Sequence, residues 1–209
     1  DGVAKDMASA LRWCREAAEQ GLAEAENNLG LCHARGTGVV PNQAEAASWF
    51  RRAAERGHAE ALFEMGVRHA AGNGVPRDDR EAADWYRKSA ERGHAAAQFN
   101  LAVRYGKGNG VDANDGLAAW WYRQAADQGY APAQFNLGVR YAHGDGVAQD
   151  LVEAYWWIHL AVARTSGAQQ TRYREALDEL STQMTPAQAE QRAQRIQRWS
   201  EEFERRSRR

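Results

Sequence analysis

A chain of 209 residues with a formal net charge of −1 has nothing that would draw the whole molecule to nucleic acid or to an anionic membrane. Its two cysteines, Cys14 and Cys32, exclude a disulfide framework, although one bridge and two free thiols both fit, and no apolar run approaches the roughly 18 residues that a membrane span needs. Leu, Ile, Val and Phe are scarce, but the near-neutral charge and 8 Trp argue against disorder, and alanine with large aromatics suits helices that approach closely.

In chain order, the first predicted element is a lone helix over about residues 6–20, ending at Gly21. Its residues begin ladders that run through the sequence with a period of about 36 residues. Trp13, Trp49, Trp85, Trp121 and Trp157 form one; Gly38, Gly74, Gly110 and Gly146, each followed by valine, form another. Gly21, Gly57, Gly93 and Gly129 form a third, and Asp6, Asn42, Asp78, Asn114 and Asp150 a fourth. Gly2 and Val3 share the register of Gly38 and Val39, so the chain starts inside a repeat. At least one further helix is therefore expected to precede Asp1, leaving Trp13 partly uncovered.

The next elements are four helix pairs starting at Ala23, Ala59, Ala95 and Ala131, in repeats 23–58, 59–94, 95–130 and 131–166. In the first helix of the third pair, about residues 95–106, Ala97, Gln98, Leu101, Ala102 and Tyr105 share one face. The second helix of each pair starts after the Asp/Asn ladder, whose side chains can cap free amides. Asn42 with Glu45, Asp78 with Glu81 and Asp150 with Glu153 have capping-box spacing. In the second pair that helix carries Ala82, Trp85, Tyr86 and Ala90 and ends at Gly93, a residue suited to a left-handed terminus.

Between the two helices lies "GKGNGVDANDG", residues 106–116, which resembles a phosphate nest or a calcium loop when read alone. In register it is one of four copies of a Gly-x-Gly-Val turn followed by a helix cap. It also lacks the spacing of a calcium loop. Residues 167–209 are predicted as two capping helices, about 169–183 and 186–206, and a basic tail. Thr185-Pro186 opens the second, whose Ala189, Ala193, Ile196 and Phe203 make an apolar stripe. The run Arg205-Arg206-Ser207-Arg208-Arg209 reads as solvated tail rather than a nucleic-acid arm. The fold class is all-α, a solenoid of antiparallel helix pairs with residues 1–22 as a partial N-terminal repeat.

These residues, above all "AEALFEMGVRHAAGNGVPRDDREAADWYRKSAERGH" at 59–94, resemble the Sel-one-like repeat (SLR) family, relatives of the tetratricopeptide repeats. The likeness covers about residues 1–163, and "MTPAQAEQRAQRIQRW" at 184–199 is similar to the closing helix of bacterial members. The resemblance implies a right-handed superhelix that binds protein or peptide partners. It favours the bacterial envelope or secretion over the cytoplasm. A cysteine-rich branch binds penicillins, but its cysteine positions hold Ala18 and Glu26, Ala54 and Leu62, Ala90 and Gln98, and Ala126 and Gln134 here. Weak beta-lactam binding is therefore only a second alternative, disfavoured by the cysteine pattern.

In tetratricopeptide relatives the first helices line a concave groove. The resemblance places an apolar rail there, Leu31, Val67, Val103 and Val139, flanked by Asn28, Glu64, Asn100 and Asn136. The amides can pair with an extended peptide backbone. Arg68, Arg104 and Arg140 are expected beside the groove as carboxylate partners, with Lys107 and His143 at its edge. Against this stand packing of the rail inside a tight superhelix and an i,i+4 pair of Glu64 with Arg68. The alternative is a structural or regulatory subunit docking through its convex face or end helices, including self-association through the uncovered N-terminal helix.

Phe63, Phe99, Phe135 and the tryptophan ladder are expected to pack between helices, since no basic stripe accompanies them for base stacking. His33 and His69 stand where Tyr105 and Tyr141 do, and His58 and His94 follow ladder glycines. No metal site, cofactor or catalytic signature is expected.

Overall fold

The computed structural model describes residues 2–207, with side chains described for residues 9–201. Asp6 of the cap ladder, Phe203 of the closing stripe and the basic run at 205–209 fall outside the described side chains. The described residues form eleven helices: α1 (Gly2–Glu19), α2 (Ala23–Arg35), α3 (Gln43–Glu55), α4 (Ala59–Ala71), α5 (Asp79–Ala90), α6 (Ala95–Lys107), α7 (Asp115–Asp127), α8 (Ala131–His143), α9 (Leu151–Ala163), α10 (Gly167–Gln183) and α11 (Pro186–Ser207). They fall into two compact units, residues 1–113 and 114–209, a division that the regular period does not announce. In the first unit α2 packs on α3 and α4 on α5, with α1 against α2, α3 against α4 and α5 against α6. In the second, α7 packs on α8, α8 on α9, and α9 carries both α10 and α11.

Each second helix starts where its cap residue takes the free amides. Asn42 accepts from the Glu45 amide at 3.1 Å and Asn114 from the Leu117 amide at 2.9 Å. Asp78 holds the Arg80 and Glu81 amides at 2.8 and 3.0 Å, and Asp150 holds those of Val152 and Glu153 at 2.9 and 3.0 Å. The expected reciprocal half of the capping box has no donor in these helices. The amides of Asn42, Asp78 and Asp150 already donate to the carbonyls of His33, His69 and Tyr141. A full box forms at α11, where Thr185 Oγ1 accepts from the Gln188 amide and Gln188 Oε1 accepts from the Thr185 amide. Asp78→Ala is expected to lower stability by about 1 kcal/mol in urea unfolding, with Asp78→Asn near neutral. Equal losses for the two variants would mean that the cap is not what position 78 supplies.

One boundary differs from expectation. α1 begins at Gly2, so position 6 lies inside a helix rather than at its cap. Before α3, α5 and α9 the chain breaks at a glycine pair, and a carbonyl of the preceding first helix takes the cap amide. Here the helix runs through residues 2–5 without a break.

Alanine fills the seams. Ala46, Ala82, Ala118 and Ala154 are fully buried on the second helices, as are Ala61, Ala97 and Ala133 on the first. Leu29, Met65, Leu101 and Leu137 sit behind them. The interior aromatic is the residue after each ladder tryptophan: Phe50, Tyr86 and Tyr122 are buried, with Ile158 in the same place. A Cβ on Gly66 would stand 2.6 Å from the Tyr86 ring, which shows how closely these helices approach. The tryptophans pack beside that core, from Trp157 at 7 % exposure to Trp13 at 61 %.

Candidate partner-binding surface

In the first unit the rail residues Leu31, Val67 and Val103 occupy one register position on α2, α4 and α6, and each is half-buried. Leu31 leans on the cluster of Phe50, Leu62 and Met65, so the rail is anchored in the core while keeping apolar surface outside it. Asn28 is exposed beside it, and Lys107 is exposed at the end of α6. Asn100 is hydrogen-bonded to the Tyr86 hydroxyl. Glu64 pairs with Arg68 at 3.6 Å; burial raises its carboxyl above the usual range, and the Arg68 charge opposes that rise.

In the second unit Val139 is half-buried on α8, and Asn136 Nδ2 donates to Tyr122 Oη at 3.2 Å. Burial pushes the Tyr86 and Tyr122 hydroxyls up, so both stay neutral partners for these amides. α10 continues past the rail, and Val139 and His143 line a small cavity with Ile158, Glu179 and Leu180. Phe135 stacks on Tyr173 of α10 with centroids 4.2 Å apart. In the first unit Phe63 meets Tyr86 and His94. Phe63 and Phe135 therefore pack between elements, as their spacing suggests.

The arginine ladder is placed differently from the expectation that it offers carboxylate partners. Arg68 is buried, donates to Gln43 Oε1 at 3.1 Å and lies over the Phe50 ring. Arg104 is buried, and its Nη1 reaches the Asp79 carbonyl, the Asp79 carboxylate and the Asn109 carbonyl at 3.1, 3.0 and 3.2 Å. Arg140 Nη1 makes the matching contacts with the Asp115 carboxylate and the Asp145 carbonyl at 2.8 and 3.3 Å. Each guanidinium thus joins its own Gly-x-Gly turn, or the helix carrying it, to the first residue of the preceding second helix. In each case one guanidinium nitrogen, Nη1, makes these contacts, so it is engaged within the fold.

Two histidine roles escaped the sequence. His58 and His94 cap α4 and α6, their Nδ1 atoms accepting from the Ala61 and Ala97 amides at 3.3 and 3.2 Å. The proton of His94 therefore sits on Nε2, which meets Glu60 at 2.7 Å. The signal was positional, a polar ring directly after a ladder glycine and before a helix. His33 and His69 are buried, as their tyrosine-equivalent positions imply. Among the described residues no group of three His, Cys, Asp or Glu is placed to hold a metal ion. Cys14 and Cys32 are free thiols.

Position 26 is a further surprise. Gln98 and Gln134 donate to the Ala90 and Ala126 carbonyls at the ends of the preceding helices. Glu26 has no proton to give there, is fully buried, and is paired by Arg52 and Arg56 at 3.0 and 3.1 Å. Arg52 then supplies the missing donor to Ala18 O at 3.3 Å.

The Sel1 repeat model matches residues 1–22, 23–58, 59–94, 95–130 and 131–166. A protective antigen of uropathogenic Escherichia coli that displays an SLR fold is 35% identical over 82% of this chain, with a TM-score of 0.76. A Sel1 repeat protein from Oxalobacter formigenes is 36% identical over 77% of this chain, with a TM-score of 0.72. This chain spans 37% of the first structure's chain and 66% of the second's. No curated protein matches it.

Proposed function

The chain belongs to the Sel1 repeat family, and from that premise we propose that it is a non-catalytic scaffold that holds an extended segment of a protein partner along its first helices. The observation that carries this reading is the rail in the first unit. Leu31, Val67 and Val103 are half-buried at one register position, with exposed Asn28 and Lys107 beside them. Aliphatic side chains repeated at the pitch of the helices can receive apolar side chains of an extended peptide, while amides pair with its backbone. Glu64 and the buried arginines contribute shape to this surface more than charge.

The test is to select binding peptides on the intact chain and measure them against Val67→Asp with Val103→Asp. Binding is expected to weaken by roughly a hundredfold, because a carboxylate in each contact removes apolar burial and must stay hydrated. Unchanged affinity with a folded variant would sink the groove reading.

A second reading rests on Trp13, which is 61 % exposed on α1 although its ladder mates are half-buried or buried. In that reading the chain is a structural subunit docking through α1, to itself or to another protein. Trp13→Ala would then change the sedimentation behaviour of the chain or of its complex, and leave groove peptides bound.

A further inference from the structure

The helix that closes the second unit carries more chemistry than closure requires. α9 presents Tyr155, Trp156 and His159, and α11 lies across them. The Arg192 guanidinium sits 4.7 Å from the Tyr155 ring centre and that of Arg195 sits 4.8 Å from Trp156. Trp199 meets Trp156 edge-to-face at 6.0 Å and 79°, and meets His159 at 5.9 Å and 89°. Between them lies a shallow open pocket of about 420 Å³ lined by Trp156, Arg195, Arg198 and Trp199. The sequence signal was faint: of the positions that share the register of Trp156, 12, 48 and 84 hold Arg, Ser and Asp, and 120 holds another Trp.

Among the described residues, the charges around this pocket do not balance. Arg192 donates to Ser181 Oγ at 3.0 Å, and Arg195 is paired with Glu153 at 2.5 Å. Arg198 is exposed, has its Nε on the Gln194 carbonyl at 3.3 Å, and meets no carboxylate among the described residues. Covering Trp156 with Trp199 would need neither Arg198 nor an open space beside it. One uncompensated guanidinium next to two indoles is a place for one negative charge attached to an apolar group.

We propose that this pocket binds an acidic segment of a protein partner, with an Asp or Glu carboxylate on Arg198 and a neighbouring apolar side chain in the corner of Trp156 and Trp199. A polyanion fits less well. Phosphates in succession need a basic stripe, whereas Glu153 already neutralises Arg195 at one edge of the pocket. A small free acid also fits less well, because a shallow site cannot bury most of such a ligand, while a side chain delivered by a larger surface needs only a foothold. This site lies between α9 and α11, apart from the rail, so it can engage a partner whether or not the rail does.

Random heptapeptides displayed on phage would be selected on the intact chain and on the Arg198→Glu variant. Because Arg198 is exposed, the variant is expected to keep its helical circular dichroism and its melting profile. The peptides kept by the native chain and lost by the variant should be enriched in Asp or Glu beside an aromatic or aliphatic residue. Synthetic copies with amide replacements, Asp to Asn and Glu to Gln, should bind roughly tenfold or more weakly by fluorescence anisotropy, the loss expected for one charge-assisted contact. Val67→Asp with Val103→Asp should leave these peptides bound, which separates the pocket from the rail. The proposal is overturned if no peptide depends on Arg198, if the amide copies bind equally, or if a single-stranded oligonucleotide is the ligand that Arg198→Glu releases.

Discussion

Gly110→Ala is expected to lower the stability of the chain by about 3–5 kcal/mol, through two effects that act together. Gly110 has φ +76°, a conformation that disfavours any Cβ by about 1–2 kcal/mol. A Cβ there would also stand 1.9 Å from the Asp79 carbonyl oxygen and 2.3 Å from its carbon. Those atoms are backbone at the start of α5, so no rotamer change relieves the overlap, and the turn must withdraw from the helix. Withdrawal also pulls Asn109 and Arg104 away from Asp79. Gly93 supplies the control, since its φ is +84° but a Cβ there would meet nothing within 4 Å. Gly93→Ala should lose only the conformational part, about 1–2 kcal/mol. Urea unfolding followed by circular dichroism compares the two. Equal losses would show that close approach is not what position 110 provides.

Arg104→Ala should lower stability by about 2–4 kcal/mol, because it removes a hydrogen-bonded charge from a buried place and leaves the Asp79 and Asn109 carbonyls without that donor. Arg104→Lys should recover only part of this, since an ammonium can meet these oxygens but lacks the flat guanidinium that lies over the Tyr86 ring. The contact has a pH signature. The Arg104 hydrogen bond, with the charges of Arg104 and Arg77, holds the Asp79 carboxyl below the usual carboxylate range against the opposing effect of desolvation. A depressed carboxylate contributes stability above its unfolded pKa and loses it as pH falls through the folded pKa. The gap between the native chain and Arg104→Ala should therefore be full at neutral pH and narrow on acidification below the usual carboxylate range. In the variant the Asp79 titration, followed by NMR, should move up toward its ordinary value. A variant that kept its stability but lost peptide affinity would restore Arg104 as a ligand residue.

These two expectations concern one clasp. Gly74 abuts Gln43, Gly110 abuts Asp79 and Gly146 abuts Asp115, and Arg68, Arg104 and Arg140 reach the same three residues. The pair Gly110→Ala and Arg104→Ala should consequently be less damaging together than the sum of the two, as for any two groups acting on one contact. The glycine-rich stretch that resembles a ligand loop is one half of that clasp.

The sequence by itself determined the period, the helix pairs, the caps and the turn glycines. Each of these is decided within a few residues. Asp78 meets amides two and three positions away, and Gly108 and Gly110 take left-handed φ where the chain reverses. It also determined the family, because ladders of glycine, tryptophan and cap residues are a pattern of spacing alone. Only the tertiary structure decided which of two adjacent residues faces inward. Val103 and Arg104 differ by one step of about 100° around α6, as Trp85 and Tyr86 do around α5. Arg104 and Tyr86 are the buried ones, because the oxygens and the glycine that receive them belong to neighbouring helices some 20 to 25 residues away. The corner of Trp156 and Trp199 was hidden for the same reason: its two rings are 43 residues apart and are joined by the way α11 crosses α9, a geometry that no repeat period encodes.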